Sequence, residues 1–116
     1  MTLVRFFRKT GRFVGFEAKG HTGYAPSGQD IVCAGISTLL QTAVLGLKEL
    51  ADVDLQVKQE PKSGLLICRL GETVDEEKLA KADLILNLTF LGLQQIVADY
   101  RKYVQISFEE VQENEV

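Results

Sequence analysis

Two short segments near the start of the chain, residues 2–9 and 12–19, constrain the fold more than any other feature of the sequence. Both are rich in aromatic and β-branched residues, and only Thr10-Gly11 separates them. Runs of this kind joined by a tight connection that contains glycine predict a β-hairpin. The fold is therefore expected to begin with a pair of antiparallel strands.

The middle of the chain continues with a helix and a second pair of strands. Residues 30–50 place apolar side chains at three- and four-residue steps, which predicts a helix, and Asp30 is suited to cap its N-terminus. Residues 53–57 alternate between apolar and polar side chains. A turn signal at 61–64 then leads into residues 65–70, which predict the partner strand.

A second helix and a last strand complete the order of elements. The helix is predicted over residues 74–100, with Thr73 and Glu76 as a capping box and Gly92 as a point of interruption. Residues 104–108 alternate again and predict a closing strand. The acidic tail that follows is expected to fray.

These elements predict a single domain over residues 1–116. Its class is α+β, with two layers in the order β-β-α-β-β-α-β: an antiparallel sheet with two helices packed on one face. The other face of such a sheet is either wetted or buried against a partner. A homodimer is predicted because apolar residues lie on both faces of the first hairpin. These residues are Leu3, Phe6 or Phe7, Phe13 and Val14.

The composition is that of a globular protein with its own core. Of the 116 residues, 46% are hydrophobic and 25% charged, so the chain can fold without disulfides or metal. No apolar run is expected to reach the length of a membrane span, and no signal-like stretch follows Met1. Two cysteines in different predicted elements favour a reducing compartment, so the cytoplasm is the predicted location.

The net charge of −3 is unevenly distributed along the chain. Residues 1–20 carry five basic residues against one acidic residue, whereas residues 52–116 carry thirteen acidic against seven basic. The basic hairpin leaves an RNA-binding factor as one alternative function, with strongly salt-dependent affinity. A sequence pI of about 5.1 and an acidic surface argue against it, so no nucleic acid and no membrane are predicted as partners.

The only histidine and one of the two cysteines lie twelve positions apart, at His21 and Cys33. Cys33 falls in the first turn of the predicted helix, and both a helix N-terminus and a nearby imidazole favour a reactive thiolate. The loop 22–29 must return to the sheet for the helix to pack, which brings the two residues together. This arrangement favours a cysteine hydrolase.

Other interpretations of these residues stay open at this point. Cys33 could fill the core, as free cysteines often do, and His21 could be a surface residue at a strand end. Tyr24 could stack on a substrate or cover the hairpin. Cys68, in mid-strand among apolar neighbours, is predicted to be structural. The sequence offers no zinc ligand set and no phosphate or dinucleotide fingerprint, so no metal or cofactor is predicted.

Residues 20–21 and 28–37 carry a resemblance to a known family. The chain is similar to the ribosomal-processing cysteine proteases of Firmicutes and related bacteria, both in the interval from His21 to Cys33 and in order of elements over its whole length. The matching string is Asp30-Ile31-Val32-Cys33-Ala34-Gly35-Ile36-Ser37.

The resemblance implies a homodimeric cytoplasmic endopeptidase. Members of the family remove a short N-terminal extension from a large-subunit ribosomal protein, the twenty-seventh, and cut after a pair of phenylalanines. By the same resemblance Cys33 is the nucleophile, His21 the general base and Gly20 a hinge of the loop. Asp30 and Ser37 match the remaining polar positions of the motif.

The expected chemistry is acyl transfer through a thioester, with His21 moving the proton. The backbone N–H groups of Cys33 and Ala34 are the predicted oxyanion donors. Asp30 is expected to cap the helix or, failing that, to orient His21. Ser37 is expected to hydrogen-bond the loop or the carbonyl of Cys33.

The loop 22–29 has the small, polar, glycine-punctuated composition of a mobile lid. In the free enzyme it is expected to be open or poorly ordered, with Cys33 and His21 farther apart than a hydrogen bond. The alternative from another class is a non-catalytic ribosome-associated module in which Cys33 is a redox-sensitive thiol.

Overall fold

The computed structural model describes residues 1–73 and 75–111. Five strands, two α-helices and one 3₁₀ turn follow one another within this part of the chain. Their bounds are β1 Thr2–Lys9, β2 Arg12–Lys19, α1 Ile31–Glu49, β3 Leu55–Glu60, the 3₁₀ turn Pro61–Ser63, β4 Leu65–Leu70, α2 Glu76–Tyr100 and β5 Val104–Glu110.

The strands form one five-stranded sheet in the order β3-β4-β2-β1-β5. Three of the pairings are antiparallel, and the two predicted hairpins are both present. In the first hairpin Thr10 and Gly11 both have positive φ, as the twist of a two-residue hairpin turn requires. The last strand departs from the expectation of a wholly antiparallel sheet, because β5 pairs in parallel with β1. The sheet is therefore mixed.

The α+β class and the element order are confirmed, with both helices on one face of the sheet. That face and the helices share a single core, in which Phe6, Phe16, Leu40, Leu47 and Leu86 are among the largest fully buried side chains. The core needs no disulfide, since both cysteines are free.

The opposite face of the sheet carries charges in place of an apolar surface. Arg5 forms ion pairs with Glu17, at 3.5 Å, and with Glu109, at 3.6 Å. Phe7, a buried aromatic residue on this face, has the guanidinium groups of Arg5 and Arg69 over its ring. This face is suited to water, so the sheet itself gives no reason for a dimer.

Helix α1 begins as predicted. Asp30 is its N-cap and accepts a hydrogen bond of 2.8 Å from the amide of Cys33. Gly92 does not interrupt α2: a Cβ on this residue would lie 3.3 Å from Leu39 of α1, so the glycine lets the two helices approach closely. On the other side of the contact Gly46 faces Ile85 in the same way.

Within the described residues, α1 is the one helix long and apolar enough to cross a membrane, with a mean hydropathy of 1.6. The expectation that no run reaches this length was therefore wrong. The reason for the apolar composition lies in the fold, because one stripe of α1 is built into the core. Its buried residues are Val32, Ile36, Leu40, Ala43, Val44 and Leu47.

The start of α2 was also predicted wrongly. Its N-cap is Asp75, whose carboxylate accepts from the amides of Glu77 and Lys78, and not Thr73. With Asp75 as the N-cap, its carboxylate satisfies two of the amides that the first turn leaves without a helical partner. Residue 74 and the acidic tail 112–116 lie outside the described residues.

Candidate active site

Four predicted site residues lie where β2 ends and α1 begins: Gly20 and His21 follow the strand, and Asp30 and Cys33 lie at the helix start. The Asp30 carboxylate joins the two segments. One oxygen, Oδ1, accepts from the amide of Cys33. The other, Oδ2, accepts from the hydroxyl of Thr22, from the amide of Tyr24 at 3.1 Å and from that of Ala25 at 3.4 Å. The residue after His21 and the backbone of Cys33 therefore share one carboxylate.

This network determines the ionisation of Asp30. Desolvation acts to raise the pKa of the carboxyl, but the hydrogen bonds from Thr22, Cys33, Ala25 and Tyr24 outweigh it and hold the pKa below its ordinary value. The carboxylate is thus charged at neutral pH, and its negative charge lies at the N-terminus of α1, where the helix dipole stabilises it.

Cys33 is the third residue of α1 and is partly exposed. Side chains of an α-helix lean toward its N-terminus, so the thiol lies over the first turn, where backbone N–H groups are free of helical partners. Cys68 is its opposite: it is fully buried in β4, and burial raises the pKa of its thiol to about 11, although Lys48 acts against this. The structural role predicted for Cys68 fits this environment.

His21 is exposed, and its side chain contacts the turn that joins β3 to β4. Its Nε2 lies 3.0 Å from the carbonyl oxygen of Lys62. Within residues 1–73 and 75–111 no hydrogen bond joins the imidazole to the sulfur of Cys33. Sequence reasoning missed Lys62, because only the fold brings the β3–β4 turn to His21.

Gly20 occupies a position that glycine alone fits. Its φ is +87°, and a Cβ would lie 2.5 Å from the carbonyl oxygen of Met1. The carbonyl of Gly20 accepts from Thr2, and its amide donates to Ser63. Gly20 is thus tied to its neighbours on both sides, which gives it a packing role beside the hinge role that the resemblance implied. The substitution Gly20→Ala is consequently expected to destabilise the fold itself.

The loop 22–29 is anchored, contrary to the expectation that it is open. Besides the bonds to Asp30, the ring of Tyr24 packs edge-on against Tyr100, at 5.6 Å, and Tyr103, at 5.2 Å. These are the only three tyrosines of the chain. Sequence reasoning missed this cluster, because α2 and the start of β5 are far from the loop in sequence.

The oxyanion prediction needs a correction. The amide of Cys33 donates to the Asp30 side chain, and the amide of Ala34 donates to the Asp30 carbonyl at 3.0 Å. Both donors are therefore engaged by the N-cap. Ser37 is exposed and makes no side-chain hydrogen bond within the described residues, and the helical carbonyl bond of this region is made by Thr38 to Ala34.

No cluster of three or more potential metal ligands occurs among residues 1–73 and 75–111. The site itself offers a thiol at a helix N-terminus, an imidazole with one nitrogen 3.0 Å from a carbonyl oxygen, and a carboxylate that ties both segments together.

Comparison with known proteins gives consistent matches over most of the chain. The sequence model of the family described as "Cysteine protease Prp" matches residues 1–105. The ribosomal processing cysteine protease Prp of Bacillus subtilis (strain 168) is 29% identical over 92 residues, which cover 79% of this chain and 82% of that protein.

Two crystal structures resemble the whole fold. One is an essential ribosomal processing protease Prp from S. aureus in complex with a covalently linked product peptide; its TM-score is 0.82 at 25% identity, covering 94% of this chain and 100% of that chain. The other, SMU.848 from Streptococcus mutans, has a TM-score of 0.80 at 25% identity and covers 96% of each chain.

Proposed function

The chain belongs to the Prp family of cysteine proteases, and from this premise we propose that it removes the short N-terminal extension of a bacterial large-subunit ribosomal protein, the twenty-seventh, by a Cys33–His21 dyad. It is a cysteine protease. The substrate proposal is supported by the relative's name, a ribosomal processing protease, and by the product peptide bound covalently in the S. aureus structure.

The shared Asp30 carboxylate is the observation that carries the proposed dyad. It holds Thr22, the neighbour of His21, on one oxygen and the backbone of Cys33 on the other. Two chain segments twelve residues apart are thereby kept adjacent at the N-terminus of α1. A nucleophile and its base must come within hydrogen-bond reach, roughly 3 Å, when the substrate is bound.

In the proposed reaction His21 removes the proton from the Cys33 thiol, and the thiolate attacks the carbonyl carbon of the scissile bond. The tetrahedral intermediate collapses when His21 returns the proton to the leaving amine. Water then hydrolyses the thioester, with His21 again accepting a proton, and the free thiol is restored.

We propose that the oxyanion of the intermediate is bound by backbone amides that do not donate to the N-cap residue Asp30. In the described part of the chain the amides of Ile31 and Val32 make no hydrogen bond, as is usual for the first residues of a helix. They lie in the turn over which the Cys33 side chain leans. We therefore assign them the oxyanion role first given to Cys33 and Ala34.

The proposal is tested with a peptide that carries the Phe-Phe segment of the extension, analysed by mass spectrometry. Cys33→Ala and His21→Ala should each abolish cleavage, while Cys68→Ala, the matched cysteine control, should keep it. A redox module would modify its thiol and leave the peptide whole. Cleavage at the same bond by Cys33→Ala would show that the nucleophile is another residue.

We also propose that the protein is a homodimer in the cytoplasm. Its interface is not the sheet face of the first hairpin, which the sequence suggested. Leu84, Leu88 and Leu91 follow one stripe of α2 and are 72%, 69% and 59% exposed. An apolar stripe at this spacing is typical of helix pairing. A second copy of the chain, packing α2 against α2, would cover it, whereas the charged face of the sheet would stay in water.

The basic hairpin does not favour the RNA-binding alternative. Its arginines are paired with acidic residues of the same chain: Arg8 with Glu110, and Arg12 with Glu76 at 2.7 Å. The carboxylates beside these arginines repel an approaching phosphate.

A further inference from the structure

The β3–β4 turn packs directly on His21. Its Lys62 carbonyl oxygen lies 3.0 Å from Nε2 of the ring, and the Ser63 carbonyl accepts from the amide of Gly20 at 3.1 Å. The turn thus holds both the side chain of His21 and the backbone just before it.

Gly64, the last residue of this turn, has no room for a side chain. Its φ is +66°, and a Cβ would lie 2.7 Å from the Gly20 carbonyl oxygen and 3.2 Å from Cε1 of His21. Gly11, in the turn between β1 and β2, has a similar φ of +81°. Nothing lies within 4 Å of its Cβ position. The crowding at Gly64 thus comes first from the Gly20 backbone, the residue directly before His21, and then from the His21 ring.

The bond to Lys62 determines where the proton of neutral His21 resides. A backbone carbonyl only accepts, so Nε2 must be the protonated nitrogen. Neutral imidazole has one N–H, which leaves the lone pair on Nδ1. When Nδ1 accepts a proton, the Nε2–H bond to the carbonyl becomes charge-assisted and therefore stronger.

We propose that the β3–β4 turn is a positioning element of the active site: the Lys62 carbonyl and Gly64 fix His21 as the Nε2–H tautomer and leave Nδ1 to take the proton of Cys33. The inference rests on the proposed role of His21 as base. In the proton step the S–H bond of Cys33 breaks and an Nδ1–H bond forms, while Nε2–H stays on the Lys62 carbonyl. Nδ1 later gives that proton to the leaving amine.

Catalytic dyads need a third group that orients the base, a part that a carboxylate or amide side chain often plays. Asp30 is fully engaged by the loop and the helix N-terminus through both of its oxygens. A main-chain carbonyl in a crowded turn supplies the orienting group in its place.

The first test uses His21 as its own spectroscopic probe. Because it is the only histidine in the chain, long-range ¹H–¹⁵N spectra of the folded protein above the titration range give its tautomer without assignment ambiguity. The expected result is Nε2–H. A wild-type spectrum with the proton on Nδ1 would overturn the inference, and this measurement does not depend on any variant folding.

The second test compares Gly64→Ala with Gly11→Ala, both of which place an alanine at positive φ in a turn of the same sheet, but only Gly64→Ala meets neighbouring atoms. We expect Gly64→Ala to lower kcat by about 10- to 100-fold with KM within about threefold, because a base displaced by a fraction of an ångström loses most of its effect. Gly11→Ala should keep kcat. Equal kcat in the two folded variants would refute the positioning role.

The outcome for His21→Ala separates this inference from the proposed function. If His21→Ala still cleaves the peptide, the dyad itself is wrong. If His21→Ala is inactive while Gly64→Ala matches Gly11→Ala, the dyad stands and the β3–β4 turn has no positioning role.

Discussion

Replacing Asp30 by asparagine should release the loop 22–29 while leaving helix α1 capped. Asparagine caps a helix about as well as aspartate, so the Oδ1 bond to the Cys33 amide can be kept. At the Oδ2 position an NH₂ group would then face two amide donors, those of Tyr24 and Ala25. Donors cannot bond to donors, so the loop loses both amide bonds to residue 30, while the Thr22 hydroxyl can turn to accept from the NH₂ group and the Tyr24 ring contacts stay.

The change in the free energy of loop opening depends on the hydrogen bonds that the Asp30 carboxylate accepts from the loop. A hydrogen bond to a charged group contributes about 1.5–3 kcal/mol, and Asp30→Asn removes the two that the amides of Tyr24 and Ala25 donate. We therefore expect loop opening to become easier by about 2–3 kcal/mol, which is a loss of roughly 30- to 150-fold in hydrogen-exchange protection. Asp30→Ala also removes the cap and should cost the global stability about 1 kcal/mol more.

The assay is amide hydrogen exchange at Tyr24 and Ala25, with peptide cleavage measured in parallel. Asp75→Asn is the matched control, because Asp75 caps α2 through the same kind of bonds and holds no loop. It should be nearly neutral. If Asp30→Asn left the exchange of both loop amides at the wild-type rate, or changed it no more than Asp75→Asn does, the role given to the carboxylate would be refuted.

The same group makes the loop sensitive to acid. Because the pKa of Asp30 is lower in the folded protein than in the unfolded chain, its contribution is fully present above the unfolded value of about 4. The contribution is lost as pH falls through the folded value. The stability difference between wild type and Asp30→Asn should therefore shrink below about pH 4 and be constant from about pH 5 to 8.

In the folded protein iodoacetamide should alkylate Cys33 and spare Cys68, whose buried thiol has a pKa of about 11; equal labelling by peptide mapping would contradict this. Tyr24→Ala should lower the free energy of unfolding by about 1–3 kcal/mol, because two aromatic contacts are lost. Urea titration measures this change, and a value below about 0.3 kcal/mol would contradict the prediction. Leu88→Glu should give a monomer by light scattering at micromolar concentration, whereas Leu3→Glu, on the charged face of the sheet, should stay dimeric; the reverse result would place the interface on the sheet.

The sequence predicts the elements well where local chemistry determines them. Thr10-Gly11 can form a tight hairpin turn, and Asp30 directly precedes a run of helical period, so both boundaries follow from a few residues. The start of β3 shows the limit of this reasoning. Val53 alternates like a strand residue, but it is buried beside the end of α1, where its amide donates to the Leu47 carbonyl, and β3 begins only at Leu55.

The parts of the site that the sequence does not predict come from distant segments. Nothing near residue 106 indicates that β5 pairs in parallel with β1, because the choice of neighbour depends on the packing of the whole sheet. The Tyr24 contacts and the Lys62 carbonyl beside His21 follow from the same assembly. The dyad candidates could be found because reactive residues are recognisable one by one, whereas their surroundings include a backbone carbonyl and tyrosine rings from distant segments.

The pairing of the first strand with the last also bears on biosynthesis. The amide of Thr2 donates to the Tyr103 carbonyl, and the tyrosine cluster needs α2 and the start of β5 to be in place. Chains emerge from the ribosome N-terminus first, and contacts between distant segments close late in folding. His21 and Cys33 are therefore synthesised long before the surface that completes their surroundings. We expect a nascent chain to have no assembled proteolytic centre until residues near 110 have been released.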